Sequence, residues 1–338
     1  MLAKWTLFAR RRVRSPATAG TNATRPRSIL TGSPAKSRTD FYESRDQRRA
    51  RAPAVAAARG LVTPKSSSLL IATYNWPAAL ALVLASVRAQ RVWPTEVLIA
   101  DDGSRDDTRE LVLREAATFP VLLRHIWHED SGFRLGTIRN KAMAAAVGEY
   151  LIQLDGDLVL HPEFVSSHLA FARPGTYVQG SRVMLSEGRT AECLRAGRIV
   201  TAAWSAGVRN RVNALHLPLL SGIIRGPTDP LRRTRGCNMA FWRDDVVRVN
   251  GYNEAIEGWG REDSELAARL QQSGVLRRNL KFSAVAWHLH HPTRSQASLD
   301  QNHAIFEGTM RDRVERCEHG LDQWLARHPD SLARPTAP

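Results

Sequence analysis

From about Ser66 onward, short apolar runs alternate with longer stretches in which apolar residues recur every three or four positions. Ser68–Thr73 is a compact apolar run, the mark of a strand covered on both faces. Asn75 and Pro77 then signal a turn and a helix start, because proline fits the first helical turn. Leu80, Leu84 and Val87 carry that helix onward. Glu96–Ala100 reads as a second strand and ends in Asp101-Asp102-Gly103-Ser104. Asp106 or Asp107 can cap a helix reaching about Ala117. Val121–Trp127 reads as a third strand, Leu135–Val147 as a helix closed by Gly148, and Tyr150–Leu154 as a fourth strand.

After Pro162 the pattern blurs, and residues 183–234, rich in Arg with scattered Pro and Gly, read as loops and short helices. It sharpens again at Asn238–Trp242 (strand), Asp244–Val249 (short helix), Glu262–Gln272 (helix) and Phe282–Trp287 (strand). Residues 296–338 read as a helix and a tail. Alternating strands and helices predict an α/β fold, a mostly parallel sheet with helices on both faces. In such sheets ligands bind beyond the carboxyl ends of the strands. Two acidic clusters sit at such ends, Asp101-Asp102 and Asp155-Gly156-Asp157.

Two neighbouring carboxylates repel unless something positive lies between them. A hard divalent cation, Mg or Mn, with open positions for phosphate oxygens is the economical occupant of Asp155 and Asp157. Gly156 removes bulk between the two acids. Taken alone, the tripeptide fits a plain surface turn equally well.

Charge changes the picture less than its total of +15 implies. Residues 1–60 hold twelve Arg and two Lys against three acidic residues, a net +11 that leaves +4 for the remainder. A folded part so nearly balanced lacks the basic footprint of a nucleic-acid-binding domain. Residues 1–65, rich in Arg, Ser, Thr, Ala and Pro, are expected to be a disordered basic tail, present by virtue of an upstream start or serving as an electrostatic arm. The first residues carry too short an apolar stretch for a secretory signal, and no window reaches a membrane span. Cys193, Cys237 and Cys317 are odd in number and lack metal-site spacing, which fits thiols in a reducing cytoplasm.

Ala72-Thr73-Tyr74-Asn75, Ala100-Asp101-Asp102-Gly103-Ser104, Arg139-Asn140 and Leu154-Asp155-Gly156-Asp157 together resemble the successive signatures of family 2 glycosyltransferases. Gly258-Trp259-Gly260-Arg261-Glu262-Asp263 resembles the acceptor-side motif of the beta-1,4-galactosyltransferases and chondroitin-polymerase-type enzymes. The resemblance covers residues 66–295. It implies a GT-A fold, a nucleotide-diphosphate-sugar donor, a divalent cation and inversion at the anomeric carbon.

By position, the resemblance assigns Thr73 and Tyr74 to the loop bordering the nucleotide, and Asp102, with Asp101 beside it, to the uracil or ribose. Phe133 and Arg134 match the place where the nucleotide is stacked or paired. Arg139 suits a phosphate or a carboxylate of the metal loop. Asp157 is the expected first metal ligand, Asp155 touches metal or ribose, and His288 completes the metal site, with His291 the next candidate and His290 between them. Asp263 is the expected general base, Glu262 holds acceptor hydroxyls, and Trp259 offers a flat face to a sugar ring. The match departs at Ile256-Glu257, where the galactosyltransferase motif begins Trp-Gly, and at Glu265, where that group tends to have Asp.

The expected organisation is a nucleotide-sugar-binding half over 66–182 and an acceptor-binding half over 183–295 of one domain, followed by a C-terminal helix and tail. The expected activity is transfer of a sugar, UDP-linked by family habit, to a glycan or glycolipid in surface polysaccharide or lipopolysaccharide synthesis. The expected setting is the cytoplasm, with Arg232, Arg233 and Arg235 able to hold the chain at the inner membrane face. A haloacid-dehalogenase-type phosphohydrolase is the rival reading of Asp-Gly-Asp. It places the motif too late in its domain and leaves 259–263 unexplained.

Overall fold

A computed structural model describes residues 62–221, 231, 234–292 and 295–327. Residues 1–61 of the expected tail, Arg232 and Arg233 lie outside the described residues; of the rest of that tail, Pro64 is buried and the Lys65 N–H donates to Glu149. Strand β1 (Ser67–Thr73) is buried at every position, as its unbroken apolar run requires. It sits near the middle of a seven-stranded sheet with β2 (Glu96–Asp101), β3 (Leu122–Trp127), β4 (Tyr150–Asp155), β6 (Thr176–Gln179), β9 (Asn238–Trp242) and β10 (Leu276–Asn279). Their order is β10-β6-β9-β4-β1-β2-β3. All neighbours run parallel except β9, which is antiparallel to both β4 and β6.

Alternate residues of β1 feed opposite faces. Leu69 and Ile71 pack with Leu80, Val83 and Val87 of α1 (Pro77–Arg88), and with Leu111 and Val112 of α2 (Asp106–Ala116). Leu70 and Ala72 pack with Ile138 and Met143 of α3 (Leu135–Ala145), and with Leu266 and Leu270 of α7 (Glu262–Gln272). The sheet is thus the middle layer of three.

A second sheet of four short strands has the order β5-β11-β7-β8: β5 (Leu158–Leu160), β7 (Val183–Leu185), β8 (Val208–Arg209) and β11 (Ala286–His288). Helices α4 (Phe164–Phe171) and α5 (Glu187–Ala196) lie in the same stretch. Helix α6 (Arg243–Arg248) follows β9. Helices α8 (Leu299–Arg311) and α9 (Asp322–Leu325) close the described chain.

Several local expectations are corrected. Arg105, not an aspartate, occupies the N-cap of α2, and its side chain makes no capping bond. Gly148 does not close α3 in a left-handed turn. A Cβ there would collide with the backbone of Ser68, so the glycine permits close packing of the helix exit on β1. The strand expected from Phe282 begins only at Ala286, because Phe282 and Ala284 take positive φ and the chain loops first.

Candidate active site

The acids at the sheet edge arrive on strand ends. β4 pairs with β1 so that Asp155 lies opposite Ala72, and the Gly156 N–H donates to the Ala72 carbonyl at 2.6 Å. A Cβ on Gly156 would stand 2.8 Å from that oxygen and 3.2 Å from Thr73 Cβ, so the turn that delivers Asp157 needs glycine. The two aspartates then diverge.

Asp155 Oδ1 accepts from Arg139 Nη2 at 2.8 Å. Arg139 Nη1 donates to Asp263 Oδ1 at 2.9 Å. One guanidinium from α3 therefore joins the carboxylate closing β4 to the carboxylate in the first turn of α7. Arg139 is buried and lies over the Tyr252 ring at 5.2 Å. Of the two partners the sequence offered it, a phosphate or a metal-loop carboxylate, the structure pairs it with the second.

Asp263 is held on three sides. Its Oδ1 also accepts from the Tyr252 hydroxyl at 3.2 Å, and its Oδ2 accepts from the Gly236 N–H at 2.5 Å. Any Cβ on Gly236 would collide with the Asp263 carboxylate. Gln153 Nε2 donates to the Gly236 carbonyl and to Tyr252 Oη, both at 2.8 Å, tying β4 to the same cluster. Glu262, buried beside Asp263, accepts from the Gly260 N–H at 3.0 Å. Burial first, and the Asp263 charge second, push its carboxyl up to about 7.

Asp157 belongs to a different group. β11 runs antiparallel to β5 with His288 opposite Leu158, and this register brings the imidazole next to the Asp157 turn. His288 Nε2 and His291 Nε2 lie 3.7 and 3.3 Å from Asp157 Oδ2. Among the described residues, Asp157, His288 and His291 form a group whose ligand atoms all fall within 4.8 Å of one another. Burial, then Arg182, lower the His288 pKa to about 4, so the ring is neutral at pH 7. Its Nδ1 is buried without a hydrogen-bond partner. A carboxylate with two imidazoles suits a divalent transition cation, and the residues fit such an ion. The structure brings both expected histidines to Asp157. His290 is exposed, and its backbone N–H donates to Thr190.

At the carboxyl end of β2, Asp101 and Asp102 are buried and engaged. Asp101 pairs with His125 and accepts from the Ser104 N–H, each at 2.8 Å. Asp102 pairs with His128 at 2.8 Å and accepts from the Arg134 N–H at 3.1 Å. Tyr74 Oη donates to Asp130 at 2.9 Å, and this bond chiefly holds the Asp130 carboxyl below its ordinary range. Arg134 reaches the Glu129 carbonyl at 3.0 Å. Thr73 is buried, its carbonyl accepting from the Asp102 N–H at 3.0 Å. The loop after β3 is thus laced to the loops after β1 and β2.

Trp259 is 37% exposed between Gly258 and Gly260, which both take positive φ. The Gly258 N–H donates to the Phe133 carbonyl at 3.0 Å, so the 258–263 segment is bonded directly to the loop after β3. Tyr252, Gln153, Gly236, His125 and His128 entered no sequence expectation. Gly236 and the turn Asn250-Gly251-Tyr252 offered a signal of tight geometry; the histidines and Gln153 offered none.

A three-layer α/β sandwich with acids along one sheet edge defines the class of GT-A glycosyltransferase domains. The fold matches S. aureus TarS 1–349 in complex with UDP-GlcNAc (TM-score 0.54, 15% identity, 80% of this chain and 74% of that one). It also matches GalNAc-T7 with UDP, GalNAc and Mn2+ (TM-score 0.51, 14% identity, 81% and 59%). The chain carries a match to the model for glycosyl transferase family 2 over residues 68–212, and residues 225–292 match the N-terminal domain of galactosyltransferase. It is 27% identical over 241 residues to chondroitin synthase of Escherichia coli, covering 67% of this chain and 35% of that protein. It is 26% identical over 290 residues to validoxylamine A glucosyltransferase of Streptomyces hygroscopicus subsp. limoneus, covering 78% and 57%. It spans between a quarter and three-fifths of the length of these and similar curated relatives. Among the described residues, no helix is long and apolar enough to cross a membrane.

Proposed function

We propose that the protein transfers a sugar, with inversion, from a nucleotide-diphosphate donor to a hydroxyl of a glycan or glycolipid acceptor. The observation that carries this reading is the Arg139 bridge, which sets the donor-side acid Asp155 and the acceptor-side acid Asp263 on two arms of one guanidinium. Similarity to a chondroitin synthase and a validoxylamine A glucosyltransferase, and a fold neighbour solved with UDP-GlcNAc, support it.

Asp157, His288 and His291 would hold a divalent cation, Mn or Mg. When bound, such an ion neutralises charge on the departing diphosphate. Asp102, Tyr74, Thr73 and Arg134 line the side assigned to the nucleotide. Trp259 presents its ring to an acceptor sugar, and Glu262 holds acceptor hydroxyls. Asp263, 17% exposed and fixed by three donors, accepts the proton of the attacking hydroxyl. The raised pKa of Glu262 favours a second assignment, in which Glu262 takes that proton, since a base titrating near 7 is well matched to neutral pH. The division into halves at 66–182 and 183–295, and surface polysaccharide or lipopolysaccharide synthesis at the cytoplasmic side of a membrane, belong to the same proposal.

The test is a panel of nucleotide-sugar donors with Mn or Mg, read as release of nucleoside diphosphate. Asp263→Asn is expected to keep donor binding and lose transfer by at least ~100-fold. Asp157→Ala is expected to lose cation-dependent donor binding. Normal transfer by Asp263→Asn with loss in Glu262→Gln moves the base to Glu262. Normal transfer by both removes the acid pair from catalysis.

A further inference from the structure

Between Glu192 and Ser221 the chain carries Arg195, Arg198, Arg209 and Arg211 and no acidic residue. The same segment holds six of the sixteen large hydrophobic side chains exposed among the described residues: Val200, Trp204, Val212, Leu217, Leu219 and Leu220. Leu219 is 93% exposed and Trp204 65%. Single exposed apolar residues are ordinary, but a concentration of them amid charge of one sign is not.

The backbone beneath is tied down. Arg211 Nε donates to the Val208 carbonyl at 3.0 Å, Asn213 Nδ2 to the Arg182 carbonyl at 2.8 Å, and the Leu217 N–H to the Phe282 carbonyl at 2.7 Å. Pro218–Leu220 forms a single 3-10 turn. None of the four arginines has a carboxylate partner among the described residues. Strand β8 (Val208–Arg209) is the outer strand of the four-stranded sheet, two places from β11, which carries His288. Two strand spacings are about 10 Å, so β8 lies about that far from the strand carrying His288.

We propose that this face binds the surface of an anionic membrane, with Trp204 and Leu219 entering the boundary between headgroups and acyl chains and the arginines meeting lipid phosphates. Protruding leucines, an interfacial tryptophan and uncompensated arginines are the combination that a bilayer surface rewards. A nucleic acid would use the charge and leave the leucines in water. An acidic soluble glycan would use the charge and the tryptophan and leave the leucines in water. The proposal is independent of the catalytic assignment above.

The test uses the full chain with vesicles of phosphatidylcholine alone or mixed with phosphatidylglycerol, with and without brominated acyl chains. Co-sedimentation is expected with the anionic vesicles, along with quenching of tryptophan fluorescence by the brominated lipid. Trp204→Phe is expected to remove a distinct part of that quenching. Leu219→Glu is expected to weaken partitioning about tenfold or more, with thermal unfolding unchanged because the residue is exposed. Both variants leave the basic residues of 1–60 intact, so attraction by that segment cannot mimic the result. Quenching and partitioning unaltered in both variants would overturn the proposal. So would self-association that Leu219→Glu abolishes without any dependence on vesicles, which would make the face a contact between copies.

Discussion

At the scale of single residues, Arg139 has the largest burden. Burial opposes its charge, and Tyr252, Asp263 and Asp155 around it more than compensate, so the guanidinium is held more firmly protonated than usual. Arg139→Met is expected to destabilise the fold by about 3 kcal/mol in urea unfolding, because it leaves Asp155 and Asp263 facing each other uncompensated. Asp155 is 32% exposed, which keeps the effect at the low end for a buried pair. Arg139→Lys keeps a charge but not the fork that reaches both acids, so it should recover part of the stability and little transfer activity. Glu262 makes a pH prediction. Its folded pKa of about 7 exceeds the 4.5 of a free glutamate, so the folded protein retains a proton that the unfolded chain loses over that interval. Its contribution to stability is therefore present below about 4.5 and declines as pH rises to about 7. The difference in melting temperature between wild type and Glu262→Gln should follow that window, and parallel curves would contradict it.

At the scale of elements, strand ends and tight turns aim the site. Gly236 precedes β9 and its N–H meets Asp263, so Gly236→Ala is expected to push the start of α7 away from Arg139. Transfer should fall at least ~100-fold while donor binding is kept, since geometry at the proton acceptor is lost and the nucleotide side is untouched. Equal loss of donor binding would contradict this. The same elements show what the chain disclosed in advance. Strands β1, β2, β4 and β9 were legible because burial on both faces demands continuous apolar runs. Helix α7 was legible from its acidic first turn and apolar spacing. Strands β6 and β10 were missed: Thr176–Gln179 is only four residues long, and Leu276–Asn279 places two arginines at a sheet edge. The acids Asp155, Asp157 and Asp263 could be named from motif, whereas Tyr252 and Gln153 act through contacts formed only once β4 and α7 are packed.

At the scale of the whole folded unit, the second sheet brings His288 to the carboxyl end of the first, and the Gly258–Phe133 backbone bond joins the 258–263 segment to the loop after β3. Arg139 therefore holds the Asp155–Asp157 turn beside the 259–263 segment. The donor is expected to lie between them, with its diphosphate toward Asp157 and its anomeric carbon toward Asp263. The most direct measurement is anomalous diffraction from crystals grown with Mn and a UDP-sugar or UDP. The expected result is an Mn peak bonded to Asp157 and His288, with the diphosphate on it and Asp263 across the gap. An Mn–diphosphate site elsewhere on the molecule, with Asp157 and His288 unligated, would contradict it.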